Sequence, residues 1–122
     1  MSYMPEAKID PRILVLRPSQ PLFFANAEAT LSRIVTLATS GGLRVAILSL
    51  EDSDSLDSTA LDALIECDQG LIRAGCTLVL ARVKQDILQA LARIGPQGVS
   101  LQSRSYFSVA DAFEWARQAI PS

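Results

Sequence analysis

A chain of 122 residues, 49% hydrophobic and 20% charged, is long enough to bury a core of its own and too apolar to stay disordered. Its 11 basic and 13 acidic residues leave a net charge of -2 with no basic stripe, which excludes an electrostatic footprint for nucleic acid. The chain has no histidine, so the commonest general base and the commonest transition-metal ligand are both missing.

From Met1 to Asp10 the sequence is polar and contains Pro5, without the apolar core of a signal peptide. Residues 1–11 read as a linker segment and residues 12–122 as one domain. Ile13-Leu14-Val15-Leu16 is a short continuous apolar run, the pattern of a strand buried on both faces. Leu22-Phe23-Phe24 reads as a second strand, placed at an edge because Pro21 cannot donate to a ladder. In such a strand Phe23 and Phe24 point to opposite faces, one into the core and the other covered by a helix or free for a partner.

Asn26 can cap a helix whose stripe is Leu31, Ile34, Val35 and Ala38, stopped by Gly41-Gly42. The strand Val45–Leu50 and the polar loop Glu51–Ser55 come next. From Ser58 the positions Leu61, Leu64, Ile65, Leu71 and Ile72 take helical spacing, and Gly75 closes that helix. Thr77–Ala81 is another buried strand. Ile87, Leu88, Leu91 and Ile94 mark a helix ended by Gly95-Pro96, and a loosely patterned loop follows. Ser108 and Asp111 then open a last helix lined by Val109, Ala112, Phe113, Ala116 and Ile120. The longest apolar runs are of strand length, far short of the roughly 20 residues a membrane helix needs. Strands alternating with helices predict an α/β domain, an open mixed sheet of about five strands with four helices, soluble by itself.

Leu56-Asp57-Ser58-Thr59-Ala60-Leu61 leads from a buried strand into a helix. Asp57 or Ser58 can accept the free N–H groups of the first turn, and a plain N-cap accounts for both. The same terminus would also favour a phosphate on Ser58. Asp52, Asp54 and Asp57 lack the Gly and the distal Glu of a calcium loop, so no metal site is expected and the loop reads as a solvated acidic one. No dinucleotide or Walker-type phosphate loop exists, and no cofactor is expected. Ser49 or Ser58 as a nucleophile would need a base, with Lys8 and Lys84 in no recognisable spacing. Arg82 and Lys84 follow a strand C-terminus, where they could meet an anion or simply be exposed. Cys67 and Cys76 read as reduced thiols, one on a helix and one opening a strand.

Leu43–Asp52, Leu56–Leu61 and Gly75–Ala81 together resemble the STAS domain (sulfate transporter and anti-sigma factor antagonist), and the likeness runs from about Ile13 to Ile120 in the same element order. The resemblance implies a regulatory or interaction module and not an enzyme. Two branches compete. Pro21–Glu28, Pro5-Glu6-Ala7-Lys8 with Ile13–Arg17, and Ala81-Arg82-Val83-Lys84 look like the cytoplasmic domain that follows the membrane helices of sulfate-permease-type (SulP) anion transporters. That branch implies a place on the cytoplasmic side of the inner membrane. Its partners would be the transmembrane domain of the same chain and cytosolic regulatory proteins, with weak nucleotide binding left open. The alternative is a free-standing anti-sigma factor antagonist phosphorylated on Ser58, with Asp57 and Thr59 beside it. Ala60 departs from that branch, whose motif carries Gly there. The expected partner surface comprises Phe23, Phe24, Asp52 and Asp54, with Arg82 and Lys84 as anion or nucleotide contacts.

Overall fold

The structure, a computed structural model, describes residues 2–3 and 10–120. In chain order the elements are β1 (Ser2–Tyr3), β2 (Ile13–Arg17), α1 (Ala27–Gly41), β3 (Val45–Ser49), α2 (Ser58–Arg73) and β4 (Thr77–Ala81). Then come α3 (Gln85–Ala92), α4 (Pro96–Ser103), β5 (Ser105–Tyr106) and α5 (Val109–Ala119).

The five strands lie side by side in sequence order, β2 to β5 parallel and β1 antiparallel on the outside of β2. Ile13, Val45 and Thr77 stand in register, as do Leu16, Leu48 and Leu80 three residues on. Successive crossovers of one hand that step in one direction must place their helices on one face. The core obeys that rule. Leu14, Leu16, Ala46, Leu48, Leu78 and Leu80 pack against α1 to α4, while Ile13, Val45, Ile47, Val79 and Ala81 pack against α5. The apolar runs of β2, β3 and β4 are continuous because both faces are covered.

Three differences from the sequence expectation have local causes. Leu22-Phe23-Phe24 is not a strand. Its three N–H groups go to side chains, Leu22 to Ser53 Oγ (3.0 Å), Phe23 to Asn26 Oδ1 (2.9 Å) and Phe24 to Asp57 Oδ2 (3.0 Å), so none is left for a ladder. Leu22 takes the core position, and both phenylalanines are exposed. Asn26 stands at the N-cap of α1, but its side chain closes this turn, with Nδ2 donating to Pro21 O, instead of capping the helix. The stretch read as a loop after Pro96 contains α4, a fifth helix with Pro96 in its first turn. Only Gly98 and Leu101 of α4 are buried, and a side chain at Gly98 would run into the Leu91 carbonyl of α3. The short edge strands β1 and β5 make up the five in place of Leu22–Phe24.

A buried ion pair fastens this region to the rest. Arg104 donates to both carboxylate oxygens of Asp68 on α2 (3.0 and 3.2 Å), to Leu78 O of β4 and to Ser100 Oγ of α4. Asp68 is only 3% exposed, and this fork supplies a donor to each of its carboxylate oxygens. Arg104→Met should lower unfolding free energy by about 3 kcal/mol or more in urea titration, because it leaves a buried carboxylate unpaired. Adding Asp68→Leu to that variant should recover part of the loss.

Cys67 and Cys76 are free and buried. Burial pushes their thiols up to about 12 and about 11, from 9.0 when unfolded. The unfolded chain therefore releases these protons first, so stability is intact below pH 9 and falls as pH rises toward 11. Thiol labelling at pH 8 should be slow in the native protein and rapid in denaturant.

Candidate functional site

The C-terminal ends of the four parallel strands form one rim, and most of the polar residues singled out in the sequence converge there. β3 ends at Ser49, and the chain turns sharply, Ser53 N donating to Leu50 O (3.0 Å). Leu50 N reaches across to Ala81 O (2.9 Å), which holds the start of this loop on β4. Its other side is fastened to the turn after β2. The buried Ser53 hydroxyl accepts from Leu22 N, and Asp57 Oδ2 accepts from Phe24 N. Asp57 does two things at once, because its Oδ1 also accepts from Ala60 N (2.8 Å) as the N-cap of α2.

Ser58 and Thr59 follow in the first turn of α2, exposed, with no hydrogen bond to their hydroxyls among the described residues. Ala60 is fully buried in the core beneath them, so a methyl group fits where the antagonist motif carries Gly. The motif thus divides into a structural half, Asp57 and Ala60, and an accessible half, Ser58 and Thr59.

Charges along the rim pair with one another. Arg82 Nε meets Glu51 Oε1 (3.1 Å), Glu51 Oε2 meets Arg17 Nη2 (3.5 Å), and Arg17 forks onto Asp52 (3.3 Å from both nitrogens). Lys84 Nζ pairs with Asp54 and also donates to Glu51 O (2.8 Å). Lys84 holds the Asp54 carboxyl below its usual range. These pairs are solvent-accessible, so each contributes little to stability. Their effect is to tie the ends of β2 and β4 to one acidic loop. Arg82 also has a left-handed backbone (φ 56°), with its N–H donated to Tyr106 O (2.9 Å). A non-glycine residue in that conformation costs on the order of 1 kcal/mol.

Arg82 and Lys84 are therefore engaged with Glu51 and Asp54 instead of standing open beside Ser58. Phe23 and Phe24 sit on the rim in an edge-to-face pair, centroids 5.6 Å apart. Sequence reasoning missed Arg17 as the partner of Asp52, and it missed Phe107, which lies just past β5 and is 93% exposed. Ser49 is buried at the end of β3, its hydroxyl without a hydrogen-bond partner among the described residues. Lys8 lies outside the described residues. Among those described, no group of three or more acidic or cysteine side chains is placed to hold a metal ion. A groove of about 550 Å³ runs elsewhere, between α1 and α2, lined by Leu31, Val35, Ala63, Cys67 and Gly70 among others. No described helix is long and apolar enough to cross a membrane.

A parallel sheet whose C-terminal rim carries an exposed motif at the start of α2 defines a small α/β domain. The STAS domain profile matches residues 4–112, and the chain belongs to that family. STAS domains are regulatory and binding domains. A probable sulfate transporter of Mycobacterium tuberculosis is 39% identical over 89 residues, 71% of this chain, and the match spans 16% of that relative's length. A sulfate transporter family protein from Wolinella succinogenes has the same fold, with a TM-score of 0.79 at 21% identity over 91% of this chain and 89% of that one. The Bacillus anti-sigma factor antagonist SpoIIAA, unphosphorylated, also shares it, with a TM-score of 0.72 at 15% identity over 98% of this chain and all of that one.

Asp57→Ala removes both the cap of α2 and the acceptor for Phe24. It should cost about 1–2 kcal/mol in chemical unfolding. Asp57→Asn keeps the cap and should cost less. Ser58→Ala should stay within about 0.5 kcal/mol of the parent, since its hydroxyl supports nothing.

Proposed function

We propose that residues 12–122 are the cytoplasmic regulatory domain of a sulfate-permease-type secondary anion transporter, with residues 1–11 leading into it. What carries this reading is the 39% identity over 89 residues to a probable sulfate transporter. The geometry agrees with it. The rim offers a contact surface, and its charges are already paired. On this reading transport belongs to a membrane domain in the same chain. The STAS domain acts on it by contact, from the cytoplasmic side of the inner membrane.

A second reading has one observation in its favour, the exposed and unbonded Ser58 hydroxyl in the first turn of α2. A phosphate there would meet the positive end of the helix and would change the rim's charge without disturbing Asp57 or Ala60. That is the arrangement a free-standing antagonist switched by phosphorylation would need.

The genomic reading frame separates the two. The transporter reading expects the frame to continue upstream of Met1 through several apolar segments of membrane length. A stop codon and ribosome-binding site directly before Met1 would contradict it. The antagonist reading would then require an anti-sigma kinase to label the protein on Ser58, with the label lost in Ser58→Ala.

A further inference from the structure

We propose that the C-terminal rim of the sheet is the face this domain turns toward the membrane domain, anchored by Phe24 and Phe107. The inference rests on the transporter reading above and adds to it an orientation and two contact residues.

Strand β1 sets the orientation. It runs antiparallel to β2 with Ser2 opposite Arg17 and Tyr3 opposite Leu16. Arg17 ends β2, so the polypeptide enters the domain at the C-terminal rim, not at the opposite end. In a transporter whose membrane helices precede this domain, the connection arrives at the same rim that carries Phe24, Ser58, Arg82 and Phe107.

The surface at that rim suits a protein contact. Phe24 is 68% and Phe107 93% exposed, the two most exposed large apolar side chains described. One follows β2 and the other β5, so three strand spacings, about 14 Å, lie between their strands. The charges between them form closed pairs, Arg82–Glu51–Arg17–Asp52 and Lys84–Asp54. A partner can therefore cover this strip without stranding a bare charge, the condition under which apolar anchors dominate binding. A lipid surface fits less well. Arg17, Arg82 and Lys84 are outnumbered by Glu51, Asp52, Asp54 and Asp57, and an anionic leaflet would repel that balance.

The test uses the full-length protein in native membranes, with a photoreactive phenylalanine analogue at position 24, 107 or 72. Ile72 is 60% exposed near the end of α2, at the opposite rim, and serves as the reference. Illumination should cross-link positions 24 and 107 to peptides of the membrane domain, with that product lost at position 72. Products from 72 but not from 24 and 107 would overturn the orientation. Adducts from 24 and 107 only to lipid, to a soluble protein or to residues 12–122 of another copy would overturn the choice of partner. A gene without upstream membrane segments ends the transporter reading itself and is visible before any cross-linking, so the two failures are distinct.

Discussion

The rim depends on one carboxylate. Asp57 gives one oxygen to the first turn of α2 and the other to the backbone of Phe24, more than thirty residues earlier in the chain. Two connections that follow neighbouring strands, β2 to α1 and β3 to α2, are thereby made into a single piece of surface. Ser53 repeats the same move one step away by accepting from Leu22 N inside the core. Without these acceptors the N–H groups of 22 and 24 would have to find partners in water or in a ladder. The loop would then have no fixed relation to the aromatic pair. A motif that reads as a phosphorylation signal is first of all a clamp, and Ser58 is exposed beside it because Asp57 and not Ser58 supplies the cap.

The order of the strands explains why the surface matters more than any pocket. In doubly wound sheets the strand order reverses, and the gap between helices on opposite faces becomes a binding crevice. Here β2 to β5 succeed one another without reversal, so α1 to α4 stack on one face and the sheet has no switch point of that kind. The strand ends are bridged instead by Arg17, Glu51 and Arg82. A domain built this way presents loops and helix starts to a partner, which agrees with the regulatory and binding character of the STAS family.

What could be read in the sequence was what local pattern determines. Val45–Leu50 and Thr77–Ala81 are continuous apolar runs because α5 and α2 cover their two faces, and burial of that kind is written in the residues themselves. Asp57 and Gly75 bound α2 as cap and stop, again by local chemistry. Most of the failures involve long-range partners. Leu22-Phe23-Phe24 has strand composition, and what prevents a strand is the distant acceptors at positions 53 and 57 together with the nearby Asn26. Helix α4 buries only Gly98 and Leu101, so it has almost no stripe to recognise. Asp68 with Arg104, and Arg82 with Glu51, are joined by the register of the sheet and not by spacing along the chain. For the site, the motif and its flanking cations were legible, but that the cations already hold the acidic loop was not. Phe107 gave no signal, since a lone aromatic in a loop looks the same whether it is buried or bare.

The claim that Asp57 joins the two loops through separate oxygens is tested most directly by amide hydrogen exchange, read residue by residue in the parent protein and in Asp57→Asn. Asparagine retains an oxygen to cap α2 but offers an amide nitrogen where Phe24 needs an acceptor. Protection of the Ala60 amide should survive in Asp57→Asn while that of the Phe24 amide is lost. Unchanged protection at Phe24, or loss at Ala60 with Phe24 retained, would contradict it.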